Sequence, residues 1–331
     1  MKRFLRLALI AIAVVLGSSA MHSAQALTIV PPTLDYSLKR GDIVTGKVKL
    51  FNESTTTPIT VFASTANFTA KGENGEPDFD LTDTPTGAAA WVETAAGGLT
   101  IQASERIEVP FTITVPKDAE PGGHYVSLFF GTDPSITPKD GGQVTVRSLL
   151  GALIIMRVEG QVRESASIAS FGVTDGATLT RLPANFEVRV QNSGNVHIRP
   201  QGTILIKNLF GGETETLSLN DANGAVLPNS VRKFDAVWKK SADSQEKQGF
   251  MSELKAQWFN FAFGPYTATV TMDYGQDKQA LVATAKVTII PWQLMLLELL
   301  IVAIIVLAII FGISGYNKAI IRRAQQARPK V

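Results

Sequence analysis

The chain has 331 residues, of which 45% are hydrophobic and 18% charged, with a formal net charge of +2. That is too apolar for a disordered protein and long enough for two or three domains. Cysteine is absent, which removes disulfide clamps, thiol catalysis and zinc-thiolate sites.

Residues 1–26 open with Lys2, Arg3 and Arg6, run apolar from Leu7 to Leu16 and end in Ala24-Gln25-Ala26. A charged start, a short apolar middle and a small-residue exit form a secretory signal. The apolar run is shorter than the ~20 residues that a bilayer requires.

From 27 to 291 the pattern is β almost throughout. Ile43–Phe51 and Ile59–Ala63 are strand-like runs separated by Asn52-Glu53-Ser54 and Pro58. Arg106–Val115 alternates polar and apolar residues with period 2 before Pro116, as a half-buried strand does. Tyr125–Phe130 and Val144–Val158 follow, the latter ending at Glu159-Gly160. The pattern then restarts with Phe186–Val190, Thr203–Ile206, Val231–Trp238, Tyr266–Met272 and Leu281–Ile290. The expected architecture is all-β: two tandem Ig-like β-sandwich domains over 27–163 and 164–291, followed by one transmembrane α-helix.

One segment breaks the strand pattern. Phe250, Met251, Leu254, Trp258 and Phe261 recur at helical spacing. A hairpin of Tyr266–Met272 with Leu281–Ile290 would put this stripe at the membrane-proximal end. Two placements then stand open. The stripe covers the open end of the sandwich, or Trp258, Phe259, Phe261 and Phe263 rest in the lipid interface.

Leu294–Ser314 is a 21-residue stretch interrupted only by Glu298. At 1.5 Å per residue it reaches about 31 Å, the thickness of a hydrocarbon core. Trp292 stands at its outer end and Tyr316 at its inner end. Lys318, Arg322, Arg323, Arg328 and Lys330 then follow with no acid in the last 17 residues, a cytoplasmic stop-transfer tail. The expected span is 292–315 and the tail 316–331, giving a single-pass cell-membrane protein with its bulk outside the cytoplasm. Glu298 sits near the outer boundary, where it snorkels or meets a partner helix.

These ends hold much of the positive charge. Three of the 31 Lys and Arg lie in the signal and five in the tail, and Glu298 is one of the 29 acids. The stretch 27–291 therefore holds 23 cations against 28 acids, a net of −5. A mildly acidic ectodomain argues against nucleic acid as partner and against electrostatic adhesion to anionic lipid.

Enzyme signatures are absent: there is no Gly-x-Ser-x-Gly elbow, P-loop or dinucleotide fingerprint. Outside the signal the only histidines are His124 and His197, each in a strand or turn context. No catalytic residue and no cofactor is expected. Asp78, Asp80 and Asp83 alternate in an acidic loop that could gather around Ca²⁺, but it lacks the glycine and the distal glutamate of an EF-hand and reads as a solvated loop. Asn52-Glu53-Ser54 and Asn67-Phe68-Thr69 match the glycosylation triplet, a pattern common by chance. Binding on a sandwich usually resides in long polar loops, so 72–86 and 131–143 are the candidate contacts, with Asp78, Asp80, Asp83, Lys139 and Asp140 in them. Trp91 is a candidate for stacking on a sugar, against the alternative of a core tryptophan.

Several motifs carry a family resemblance. They are Pro31-Pro32 after the signal, the strand ending at Asn52, Ala90-Trp91-Val92 before the Arg106–Val115 strand, and the Val115-Pro116…Ala119-Glu120-Pro121-Gly122 turn. In the second half they are Asn192-Ser193-Gly194-Asn195-Val196-His197 and the Gly264-Pro265-Tyr266 strand. In this order, with signal, span and basic tail, the chain resembles the WxL-interacting proteins of Gram-positive bacteria. That resemblance implies peptidoglycan binding by the first domain and binding of a host or partner protein by the second. The expectation is a non-enzymatic, membrane-anchored adhesion protein engaging peptidoglycan or an exported partner. The alternatives are an accessory subunit of an envelope complex, or an Ig-like assembly chaperone that donates a strand.

Overall fold

The computed structural model describes residues 27–94, 97–137, 149–240 and 249–326. The expected signal, the candidates Lys139 and Asp140, and the tail residues Arg328 and Lys330 lie outside the described residues. The chain divides into two compact units at Arg163/Glu164, except that Gly72–Glu76 groups with the second.

The first unit carries β1 (Leu27–Val30), β2 (Thr33–Leu38), β3 (Ile43–Asn52), β4 (Ile59–Lys71), β5 (Glu76–Phe79), β6 (Val92–Thr94), β7 (Gly98–Ile101), β8 (Arg106–Thr114), β9 (Gly122–Gly131) and β10 (Leu149–Val158). One sheet has the order β1-β3-β8-β6; the other has β2-β10-β9-β4-β5, with β7 also on β4. The alternation in Arg106–Thr114 sends Val109, Phe111 and Ile113 inward, where they meet Val48, Leu50, Leu128, Phe130, Ile154 and Met156. Pro110 cannot donate to a ladder, and the edge strand β6 runs out at Thr94, opposite Phe111. Gly46 is set by close approach: a Cβ there would collide with the Phe111 ring and the Tyr36 hydroxyl.

The second unit carries β11 (Ala166–Val173), β12 (Thr178–Leu179), β13 (Ala184–Asn192), β14 (Gln201–Asn208), β15 (Glu213–Leu219), β16 (Val231–Trp238), β17 (Gly264–Tyr274) and β18 (Gln279–Ile289). Its sheets are β11-β13-β16 and β12-β18-β17-β14-β15. Trp238 and Phe186 fill the layer between them, with the Trp238 and Tyr266 rings edge-on at 5.0 Å.

The architecture is thus two Ig-like sandwiches and a terminal apolar helix. In both units the first strands switch sheets: β2 pairs parallel with the closing strand β10, and β12 pairs parallel with β18. Both also lock a corner with a buried asparagine. Asn52 donates from Nδ2 to the carbonyls of Thr57, Ile101 and Gln102 while its Oδ1 accepts from Ser54 N–H. Asn192 donates to the carbonyls of Val196 and Val226 and accepts from Gly194 N–H. Each side chain supplies partners to backbone groups that a turn leaves outside the ladder. The Asn52 triplet is therefore a structural corner with its side chain out of solvent.

Two helices complete the second unit: α1 (Phe250–Phe259) and α2 (Trp292–Gln326). The helix α2 is long and apolar enough to cross a membrane, with mean hydropathy 3.2 over its most apolar window. It continues past the expected end of the span, so the basic segment begins as helix.

Candidate functional site

Three places hold the residues singled out by sequence. The first is the loop after β5. Its backbone folds back over the outer face of the β4–β9 pair, where Phe79 and Leu81 pack on Ala66, Phe129 and Ile136. Asp83 pins this loop to the one following β9. Its carboxylate accepts from Ser135 Oγ at 3.1 Å and from the backbone N–H groups of Ile136 and Thr137 at 2.9 and 3.2 Å. Those bonds, the Thr137 N–H foremost, hold its pKa below the ordinary aspartate value. The candidate Asp83 is held as a structural clasp joining the loops 76–86 and 131–137. Asp78 and Asp80 remain exposed. No cluster of three metal-ligating side chains occurs among the described residues.

The second place is Trp91, at the end of a 3₁₀ turn spanning Gly87–Trp91. Asn67 fixes that turn, donating to Thr86 O and accepting from Ala89 N–H. Trp91 is half-buried, packs on the rim of the first core and lies 4.5 Å from the His124 ring. The His124 Nε2 is 2.9 Å from Glu120 O, which ties the imidazole to its own turn.

The third place is where α1 meets the start of α2. The sequence allowed the apolar stripe of α1 to cover the sandwich; the structure corrects this. The residues α1 and its exit bury are Gln257, Asn260 and Ala262, whereas Phe250, Met251, Trp258, Phe259, Phe261 and Phe263 are exposed. Trp258 is 70% exposed. Polar ties hold the helix in this orientation. Arg181 Nε donates to Glu253 at 2.9 Å, and Lys240 Nζ donates to Phe261 O at 2.6 Å. Gln257 donates to the Gln293 side chain and accepts from Leu294 N–H at 3.2 Å, so it caps an orphan donor in the first turn of α2. A groove of about 730 Å³ lies between the helices, lined by Trp258, Phe261, Leu294, Leu297, Glu298, Ile301 and Val302. Trp292 is half-exposed, its ring 6.4 Å from that of Phe250.

One feature was missed by sequence. The β14–β15 turn, Asn208-Leu209-Phe210-Gly211-Gly212, holds Leu209 and Phe210 in the open, Phe210 at 93% exposure. It is a preformed turn: Asn208 Oδ1 accepts from the N–H groups of Phe210 and Gly212, both at 3.0 Å. The available signal was two large apolar residues inside an Asn…Gly-Gly turn, where polar residues are the rule.

No family model matches the chain, and no curated protein sequence does. Among solved structures, similarity was found to the class 5 fimbriae chaperone CfaA at 13% identity and TM-score 0.37, covering 78% of this chain and 99% of that one. The YadV chaperone matches at 9% identity and TM-score 0.34, covering 79% and 99%. The E. coli chaperone DraB matches at 9% identity and TM-score 0.34, covering 80% and 97%.

Proposed function

We propose that the chain is a non-catalytic, membrane-tethered binding protein that holds two Ig-like sandwiches outside the cytoplasm and engages an exported partner protein. The observation that carries this reading is the direct passage of β18 through Ile290-Pro291 into α2, which makes sandwich and apolar helix one continuous segment. Lys318 and Arg322, beyond the apolar stretch, support a cytoplasmic far end of α2. A tether of this kind raises the effective concentration of a binding module at the surface.

The clasped loops of the first unit, with Asp78 and Asp80 exposed, are the contact surface on this reading. The resemblance to WxL-interacting proteins supports an extracellular binding role with either peptidoglycan or a partner protein as ligand. Trp91, half-buried against His124, offers little open face to a sugar ring, which favours the protein. A second reading is strand addition, as in an assembly chaperone. The edge strand β2 favours it: among the described strands it pairs with β10 alone, leaving one side for an extended segment.

A photo-crosslinker placed at Asp80 or at Asp35 in the full-length chain distinguishes these. Adducts with an exported protein from position 80 are expected; adducts from 35 alone would move the site to β2. Pelleting with protein-free peptidoglycan sacculi, without protein adducts from either position, would contradict the proposal.

A further inference from the structure

The strand registers of the second unit bring three separate chain segments to one level. Asn208 pairs with Tyr266, and Tyr266 with Val287. Gly264 pairs with Ile289. Counting outward from Asn208, Phe210 falls level with Gly264 and Ile289, three residues before α2 begins. The exposed Leu209-Phe210 turn, the exposed aromatic residues of α1 and its exit, and the outer end of α2 therefore share one end of the sandwich.

We propose that this end is inserted in the outer leaflet of the lipid bilayer, with α1 lying in the interface as a second membrane contact and lipid chains filling the groove between α1 and α2. The inference rests on the reading of α2 as a span. Four observations support it, of which the Phe210 turn is independent of α1. First, the α2 side of the groove is formed by Leu294, Leu297, Glu298, Ile301 and Val302, whose apolar members lie in hydrocarbon if α2 crosses. Trp258 and Phe261 line the same groove and so share that environment. Second, α1 is anchored to protein by polar bonds and turns its apolar side outward, the reverse of a helix that packs on a core in water. Third, Phe210 stands on a different strand pair, fixed by its own Asn208 turn, yet reaches the same level. Fourth, the residue types are those of a membrane boundary: Trp258, Phe259, Phe261, Phe263 and Trp292 gather with Lys240 and Lys255, the latter 5.9 Å over the Phe259 ring.

Lipid is the occupant because the groove opens along the span itself and runs down to Val302. Glu298 is six residues beyond Trp292, about 9 Å along the helix. At that depth a carboxylate reaches the interface by snorkelling, and the groove provides its path.

The test uses the full chain in phosphatidylcholine vesicles whose acyl chains carry bromine, a contact quencher of tryptophan. The chain has four tryptophans, and Trp258 and Trp292 are each removable because both are exposed. Trp292→Phe leaves Trp258 as reporter of α1, Trp258→Phe leaves Trp292 as reporter of the span, and the double variant sets the baseline. Both single variants are expected to lose more emission than the double variant, by similar fractions. Phe210→Trp in the double-variant background is expected to restore a quenched component. Quenching of Trp292 without Trp258 would overturn the proposal while leaving the span in place. Quenching of neither would overturn the span as well. An unquenched Trp258 together with chain-to-chain cross-linking through position 258 would assign the groove to a second copy and equally overturn the lipid.

Discussion

The interior of the second sandwich and the α1 end obey opposite rules of burial. Between its sheets, Trp238, Phe186 and Val270 are out of solvent and the strands turn Lys207, Asp235 and Lys286 outward. Around α1, Gln257 and Asn260 are buried while Trp258, Phe259 and Phe261 are exposed. With the α1 end in lipid, as proposed, the same hydrophobic effect gives both patterns. In water an apolar face must find a core. In lipid it faces outward without cost, and the polar groups must be satisfied internally. Gln257 does this by capping the first turn of α2.

Substitutions that act on the two regions should separate cleanly. Trp238→Ala empties the centre of a packed core and should destabilise the second unit by about 3–5 kcal/mol. Trp258→Ala in detergent should stay within about 0.5 kcal/mol, as surface changes do. Denaturant unfolding of the detergent-solubilised chain measures both, and similar losses would erase the contrast.

The asparagine corners come next. Asn192→Ala takes its donor from the Val196 carbonyl, leaves that of Val226 with the Ile198 N–H alone, and should cost about 1–3 kcal/mol. Asn52→Ala should cost a similar amount in the first unit, read in the same unfolding experiment. Gln257→Ala removes a cap, an effect of about 1 kcal/mol. Its signature should be local: faster hydrogen exchange in 250–259 with the strands unchanged.

The smallest effect is that of pH at Asp83. Its pKa is held down in the folded chain by the hydrogen bonds from Thr137, Ser135 and Ile136. The clasp is thus fully present above the ordinary aspartate value, about 3.9, and is lost as pH falls through the lower folded value. Protection of the amides at 135–137, measured against the intrinsic exchange rate at each pH, should fall across that acid window in the parent chain. Asp83→Asn should show fast exchange there already at neutral pH, and an unchanged rate would remove the clasp from the account.

Much of this was legible in the sequence. The period-2 alternation of Arg106–Thr114 and the matching hairpin of Gly264–Tyr274 with Gln279–Ile289 follow from residue order alone, because local pattern dictates which side of a strand is wet. The long apolar helix α2 was equally plain from its length and composition. Less legible was the direction in which α1 faces. Its stripe of Phe250, Leu254, Trp258 and Phe261 specifies a helix but not what lies against it; that choice was made by Gln257, Gln293, Arg181 and Lys240, whose pairing is tertiary. The clasp at Asp83 was hidden for a similar reason. A carboxylate in an acidic loop resembles a free ligand until the backbone of residues 135–137, some 50 positions later, is brought to it. The net charge of −5 also concealed local order, since Lys255 lies in α1 and Lys240 bonds to Phe261 O at its exit.

The most direct measurement is cysteine accessibility, for which the cysteine-free chain is a clean background. Phe210→Cys and Phe261→Cys probe the proposed buried end, and Asp277→Cys, in the exposed turn at the far end of the β17–β18 hairpin, normalises for orientation in vesicles. In the proposed placement a membrane-impermeant maleimide labels position 277 on every outward-facing copy in vesicles, but labels 210 and 261 only in detergent. Labelling of 210 and 261 in intact vesicles at the rate seen for 277 would contradict it.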